Sequence, residues 1–131
     1  MKIVTAAGAA IAAAGLVVGV WAQQPAFKRT VLQQSDISAP GREVVQAVAD
    51  FEPRATPGRH THPGEEIGYV LEGTYEVKID DGPVRQLKAG EWFYEPPGAL
   101  HAVSRNPSTD KPVKYLIIQV GDPTKPRTIQ E

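Results

Sequence analysis

The sequence predicts a small, turn-rich, all-β domain, and three observations support this fold class. Twelve prolines and twelve glycines among 131 residues interrupt the chain too often for a helical bundle, because proline inside a helix costs about 3 kcal/mol. Short runs of alternating apolar and polar residues lie between turn signals, as in β-strands. Beyond the N-terminal segment, no run has the 3.6-residue periodicity of an amphipathic helix. The length suits one domain.

The first element, residues 1–22, is typical of an export signal. Lys2 precedes the uncharged stretch Ile3–Val20, and the small residue Ala22 stands at the candidate cleavage site. This arrangement predicts a secretory signal peptide, and therefore a periplasmic or secreted protein with no stable membrane span after cleavage. An uncleaved anchor is the alternative, since the uncharged stretch approaches the length that crosses a bilayer.

The rest of the chain is predicted to form short strands separated by turns. Residues 23–35 form a flexible lead-in and an edge strand, residues 36–122 the folded β-domain, and residues 123–131 an extended tail. The expected strands are Phe27–Gln33, Val44–Phe51, Ile67–Leu71, Thr74–Ile79, Val84–Leu87, Trp92–Glu95, His101–Ser104 and Val113–Val120. The segment Asp80–Gly82 predicts a hairpin turn, with Gly82 tolerating the positive φ that such turns need. Strands of this number and spacing favour a barrel or a sandwich.

Composition excludes several kinds of functional site. The chain has no cysteine, which excludes disulfide scaffolds, thiolate metal sites, iron–sulfur clusters and cysteine nucleophiles. Its formal net charge is −1, and it contains no dense block of Lys and Arg, so nucleic-acid binding is not indicated.

The chain contains only three histidines, His60, His62 and His101. In an extended segment, residues i and i+2 point to the same side. His60 and His62 therefore project together, at a spacing suited to one metal ion. Glu66 begins the next strand and is our preferred carboxylate ligand, with Glu65 as its competitor. Imidazoles with one carboxylate suit a divalent transition metal such as Fe, Mn, Ni, Co, Cu or Zn.

Two spaced patterns in this region resemble the two signatures of the cupin superfamily. Together they span residues 58–106, nearly half of the chain that remains after cleavage. The residues that carry the resemblance are Gly58, His60, His62, Glu66 and Gly73 in the first pattern, and Gly90, Pro96, Gly98 and His101 in the second. The second signature usually ends in Asn, but here Arg105 stands at that position and Asn106 follows one place later.

The resemblance implies a single antiparallel jelly-roll β-barrel of six or more strands. It also implies that four side chains converge inside the barrel as metal ligands and leave one or two positions for water or substrate. These predicted ligands are His60, His62, Glu66 and His101. Glu95, on the strand leading to His101, is a candidate general base or a carboxylate that supports the ligands. A solvated, outward-facing acid is the alternative for Glu95.

For function, the chain is most similar to the quercetin-dioxygenase-like group of small cupins. This resemblance implies a metal-dependent, dioxygenase-like oxidoreductase acting on a small enolic, phenolic or carbohydrate-derived substrate. Cupins with the same ligands also catalyse isomerase and lyase reactions, so a non-redox enzyme is one alternative. A non-catalytic module that binds a metal or a small ligand is another. The resemblance further implies a homodimer in which the edge strand Phe27–Gln33 pairs with a neighbour.

Overall fold

The computed structural model describes residues 25–131, which form ten strands and, within this range, no helix. The strands are β1 (Phe27–Asp36), β2 (Glu43–Phe51), β3 (His60–Thr61), β4 (Glu65–Glu72), β5 (Thr74–Ile79), β6 (Arg85–Lys88), β7 (Trp92–Glu95), β8 (Leu100–Arg105), β9 (Val113–Gly121) and β10 (Ile129–Gln130). Residues 25–131 contain no helix with the length and hydropathy needed to span a bilayer. The predicted signal peptide, residues 1–22, lies outside the described residues.

The strands form two five-stranded antiparallel sheets, which confirms the all-β prediction. One sheet has the order β1-β2-β9-β4-β7, and the other has the order β10-β3-β8-β5-β6. In β2 and β9 every second residue is buried, because successive side chains of a strand point to opposite faces. The inward residues, among them Phe51, Tyr75, Phe93 and Tyr115, form one apolar core.

Strand β1 lies at the edge of its sheet, as the sequence predicts, and pairs with β2. It continues to Asp36, three residues beyond the predicted end. Nine of its ten residues are exposed, and Arg29 is the exception because its side chain is half-buried. Pairing of this edge with a neighbouring molecule stays a prediction.

The turn between β5 and β6 corrects one detail of the sequence analysis. The turn is present, but the positive φ belongs to Asp80, at 47°, and Gly82 has none. The side-chain oxygen Oδ1 of Asp80 accepts a hydrogen bond from the amide of Leu100 at 2.8 Å. A short polar side chain that bonds to nearby backbone is one of the few that tolerates this conformation, so Asp80 does what was expected of the glycine.

A one-residue bulge in β8 explains the displaced asparagine of the second pattern. His101 pairs with Ile79 and Val103 pairs with Lys78, so Ala102 has no partner across the ladder. The extra residue carries Asn106 into a buried position, where its side-chain amide donates to the carbonyls of Lys111 (2.7 Å) and Glu52 (3.1 Å). Asn106 therefore makes the buried turn contact that the pattern expects one place earlier.

The C-terminal tail, predicted to be extended, begins with a turn in which the amide of Lys125 donates to the carbonyl of Asp122, and its end forms β10 at the edge of the second sheet. Ile129 pairs with Thr61, and Gln130 pairs with His60. The tail therefore lies directly against the strand that begins the two-histidine segment.

Candidate metal centre

The two sheets bring five predicted site residues to one place in the interior. His60 on β3 is the register partner of His101 on β8. Glu66 on β4 is the register partner of Glu95 on β7. His62, in the turn after β3, is buried beside them. The exposed fractions are 6% for His60, 4% for His62, 2% for Glu66, 0% for Glu95 and 0% for His101.

The spacing of the donor atoms matches a shared cation. Nε2 of His62 lies 3.2 Å from Oε2 of Glu66, and Nδ1 of His101 lies 3.1 Å from Oε2 of Glu95. Two donors that each bind an ion at about 2.1 Å, about 90° apart, are about 3 Å from each other. The five residues form two overlapping groups that share His62 and His101. In each group the candidate ligand atoms lie within 4.8 Å of one another; one group adds His60 and the other adds Glu66 and Glu95.

Several polar atoms in this cluster are buried without a hydrogen-bond partner among residues 25–131. They are Nε2 of His62, Nδ1 of His101, and both carboxyl oxygens of Glu95. Buried polar groups in folded proteins are almost always hydrogen-bonded, and a buried carboxylate without a partner is costly. A cation at their common centre would satisfy all four atoms, so the donor set fits a metal ion.

The first two histidines are held in the form that binds metals. Nδ1 of His60 lies 2.9 Å from the carbonyl oxygen of Gly58, and Nδ1 of His62 lies 2.7 Å from that of Arg127. A carbonyl oxygen can only accept a hydrogen bond, so Nδ1 of His60 carries the proton. Nδ1 of His62 also lies 3.1 Å from Nε2 of Gln119, but its contact with the carbonyl is the shorter one, so this Nδ1 carries the proton too. Each Nε2 then presents its lone pair to the interior, which is the usual way a protein orients a histidine ligand.

His101 is oriented differently, by Tyr75 of β5. The Tyr75 hydroxyl lies 3.2 Å from Nε2 of His101 and 2.7 Å from Oγ of Ser104. Complete burial raises the pKa of Tyr75 well above its usual value, so its hydroxyl stays neutral. Because Tyr75 occupies the Nε2 side, the nitrogen of His101 that faces Glu95 is Nδ1.

Gln119 of β9 connects the cluster to β1. Its Nε2 donates to Oε2 of Glu66 at 2.6 Å, and its Oε1 accepts a hydrogen bond from Nη2 of Arg29. Sequence reasoning did not single out Gln119 or Arg29. The signal for Gln119 was present, because a polar residue at an inward position of a strand that otherwise buries apolar side chains needs a partner.

Burial sets the charge state of the cluster. It lowers the pKa of His101 to about 4 and also lowers those of His60 and His62. Burial raises the pKa of Glu95 to about 7 and raises that of Glu66. The imidazoles are therefore neutral at neutral pH and available as ligands, whereas the two carboxyls do not readily ionise together without a cation.

A pocket leads to the cluster from the side of β1 and the tail. Its volume is about 580 Å³, including the solvent at its mouth, and its lining includes Arg29, His60, His62, Glu66, Tyr115 and Ile117. Glu65 is exposed and points away from the cluster, whereas Glu66 points into it. Glu95 is buried, so the outward, solvated alternative for this residue is wrong.

Comparison with known sequences gives a family match and one curated relative. Residues 47–119 match the family model described as "Cupin domain". The dimethylsulfoniopropionate lyase DddQ of Ruegeria pomeroyi is 35% identical over 63 residues, which are 48% of this chain and 30% of that protein. The matched segment thus spans less than a third of the curated relative.

Solved structures are similar in fold. The crystal structure of DddQ from Ruegeria pomeroyi has a TM-score of 0.59 and 25% identity, over 66% of this chain and 42% of that one. Oxalate oxidase in complex with the substrate analogue glycolate has a TM-score of 0.61 and 25% identity, over 79% and 54%. A double-stranded β-helix protein from Klebsiella pneumoniae has a TM-score of 0.63 at 22% identity, over 81% and 83%, and shows the fold alone.

Proposed function

The chain belongs to the cupin domain family, and from this premise we propose that it is a metal-dependent enzyme acting on a small molecule. The observation that carries the proposal is the group of buried, unpartnered atoms on His62, His101 and Glu95. Glu66 and Glu95 face each other across neighbouring strands, and like charges placed directly opposite are destabilising without a counter-ion. A divalent ion would bind the unpartnered atoms and would also offset the repulsion between the two carboxylates.

In this proposal His60, His62, Glu66 and His101 hold the ion, as the sequence patterns predict. Glu95 is either a fifth ligand or a carboxylate that accepts a proton at the site. A carboxyl whose pKa lies near the working pH is suited to take and return a proton, and burial places that of Glu95 at about 7. When bound, the ion supplies Lewis-acid polarisation of a substrate oxygen, with redox chemistry in addition if it is a redox-active metal.

We infer a lyase reaction as the first candidate, because the curated relative is a lyase and its similarity is at the sequence level. An oxygen-dependent oxidation, such as the dioxygenase reaction implied by the sequence patterns, is the second candidate. It draws support from the structural similarity to oxalate oxidase. Both reactions use the same ligands, so the site residues alone do not distinguish them.

Metal content is the first test. Protein purified without added ions is analysed by inductively coupled plasma mass spectrometry, together with His62→Ala and Glu66→Gln. We expect about one transition-metal ion per chain in the unchanged protein and a sharp loss in both variants. Glu65→Gln, a matched change on the exposed face of the same strand, should keep the full complement. If the two site variants keep their metal, the ligand assignment is wrong.

Reaction class is the second test. The metal-loaded protein is incubated with dimethylsulfoniopropionate, flavonols and enediols, with and without oxygen. Product release that persists without oxygen supports the lyase reaction, whereas stoichiometric oxygen uptake supports the oxidation. If neither occurs and the protein still holds its ion, the enzyme proposal fails in favour of a metal- or ligand-binding module.

We also propose that the protein is exported and forms a homodimer. Export rests on the signal-like segment 1–22, and dimer formation rests on the exposed edge strand β1. Mass determination of the mature chain from fractionated cells tests the first, and sedimentation analysis of the purified protein tests the second.

A further inference from the structure

The pocket beside the metal centre contains one cationic side chain whose pairing is incomplete. Arg29 is the only residue of β1 that is not exposed, and its guanidinium lines the pocket together with His60, His62 and Glu66. A strand that otherwise faces solvent therefore directs one charged side chain toward the candidate reaction site.

The guanidinium of Arg29 lacks the carboxylate partner that buried arginines usually have. Its Nη2 donates to the neutral side chain of Gln119, and its Nε is buried with no hydrogen-bond partner. Among residues 25–131, no carboxylate lies within ion-pair distance of it, whereas Arg105 pairs with Glu76 and Arg127 pairs with Glu43. Burying an unpaired guanidinium is unfavourable, and burial lowers the pKa of Arg29.

The net charge of the metal-loaded site also favours an anionic ligand. A divalent ion and Arg29 carry three positive charges, whereas the ionised carboxylates of Glu66 and Glu95 carry two negative ones. The site therefore keeps at least one positive charge, and more if Glu95 holds a proton. An anionic ligand removes this excess charge.

We propose that Arg29 binds the carboxylate of a small organic acid and orients its other end toward the metal centre. This inference rests on the proposed function and narrows its substrate class to acids. The N–H groups of Nη1 and Nη2 of Arg29 that Gln119 does not accept form the planar fork that a carboxylate accepts in a bidentate manner. The walls beside it include Phe27, Pro57 and Ile117, which suit the carbon skeleton of such an acid.

A carboxylate fits this pocket better than a phosphate. Arginine forks bind both groups, but a phosphate dianion generally needs several cations or backbone amides. Among residues 25–131, Arg29 is the one Lys or Arg side chain in the pocket lining, so this part of the chain matches a single negative charge at this end of the pocket.

The test is isothermal titration of the metal-loaded, full-length protein with glycolate and with its neutral amide, glycolamide. The two ligands differ in charge but hardly in shape. We expect glycolate to bind at least tenfold more tightly than glycolamide. Arg29→Gln should remove this preference and leave metal content unchanged. Lys28→Gln, which removes the same charge from the adjacent, exposed position, should bind glycolate like the unchanged protein.

Arg29→Lys provides a second measurement, because it keeps the positive charge but loses the planar fork of the guanidinium. If Arg29→Gln folds poorly, the Arg29→Lys variant tests the inference in its place. We expect it to weaken glycolate binding severalfold. Glycolate affinity within twofold of the unchanged protein in the soluble Arg29 variants overturns the inference, as does inorganic phosphate binding more tightly than glycolate.

Metal content is measured on every sample before titration, so that two failures can be distinguished. If the unchanged protein holds no metal, the proposed function fails. The substrate inference is then still tested by comparing the glycolate affinity of the Arg29 variants with that of the unchanged protein, with the same twofold limit. If the protein holds metal but its glycolate affinity does not depend on Arg29, only the substrate inference fails.

Discussion

The carbonyl oxygen of Arg127 lies 2.7 Å from Nδ1 of His62, although 65 positions separate the two residues in the chain. This hydrogen bond fixes which nitrogen of His62 carries its proton, and therefore which nitrogen faces the cluster. The C-terminal tail is thus part of the support of the metal centre. Its hold is reinforced by the Arg127 side chain, which pairs with Glu43 at 2.7 Å.

Removing the tail from Pro126 onward should weaken metal binding. Losing a group that orients a histidine ligand typically costs 10- to 100-fold in metal affinity, and we expect a loss of about this size. Competition with a chromophoric chelator measures it. Lys125→Ala, an exposed change in the same tail, is the control. An unchanged affinity in the shortened protein would show that the His62–Arg127 contact has no role in binding.

Glu95→Gln should stabilise the metal-free protein, although it should weaken the binding of the metal ion. Burial raises the pKa of Glu95 to about 7, above the unfolded value of about 4.3. The folded state then holds a proton that the unfolded state has released, so Glu95 costs stability as pH rises through this range. In metal-stripped protein we expect Glu95→Gln to raise the free energy of unfolding by roughly 1–3 kcal/mol at pH 8, and to change it little near pH 4.

The same Glu95→Gln variant should hold the ion more weakly than the unchanged protein, because it lacks one negative charge. Urea unfolding at both pH values and metal analysis measure the two effects, with Glu65→Gln as the exposed control. A metal-stripped Glu95→Gln protein that is less stable than the unchanged one at pH 8 contradicts this account.

Acidification should release the ion. Burial lowers the pKa values of the three imidazoles, that of His101 to about 4. The neutral, metal-binding form therefore persists below the usual histidine pKa of about 6.5. We expect retention at about pH 6 and loss by about pH 4, because protons compete with the metal for the ring nitrogens. Dialysis followed by metal analysis checks this, with circular dichroism to follow the fold. A full metal complement at pH 4 would count against histidine ligation.

Gly68→Ala should destabilise the protein. Gly68 on β4 is the register partner of Phe93 on β7, and an added Cβ would overlap the Phe93 ring. Overpacking of this kind costs about 1–3 kcal/mol. Gly121→Ala, where an added Cβ would make only ordinary contacts, is the matched control for thermal unfolding. Equal unfolding midpoints for the two variants would show that the Phe93 ring moves aside without cost.

Asn106→Ala should cost about 2–4 kcal/mol, because it removes a buried side chain together with its hydrogen bonds to the carbonyls of Glu52 and Lys111. Arg105→Ala, the residue at the usual position of the asparagine, removes an ion pair whose Arg105 side chain is 56% exposed and should cost about 1 kcal/mol or less. Urea denaturation compares the two. If Arg105→Ala costs more, the bulge does not relocate the turn contact.

Local patterns predicted much of the fold and of the site. Alternation placed eight of the ten described strands within a few residues, since the period of two is set by the backbone itself. The two-residue strands β3 and β10 were not predicted, because they are too short to show an alternation. The edge position of β1 also followed from its sequence. The spacing of His60, His62 and Glu66 predicted their convergence, because all three lie within one short segment. The turn at Asp80 was found as well, although the residue with positive φ was misassigned, since Asp and Gly both tolerate that conformation.

Other features could not be predicted, because they depend on contacts between distant strands. The register that sets Glu66 opposite Glu95, and the bulge at Ala102, come from how the strands align when the core packs. The side chains of Arg29, Tyr75 and Gln119 acquire their roles only through that alignment.

By itself, the sequence determined the all-β class, the absence of thiol chemistry and the histidines that a metal would need, because these follow from residue type and local spacing. The tertiary structure decided which nitrogen of each histidine faces the cluster, that the tail holds His62, and that Arg29 enters the pocket. The physical reason is that hydrogen bonds and burial join residues up to 90 positions apart, such as Arg29 and Gln119, and only the packed sheets bring such residues together.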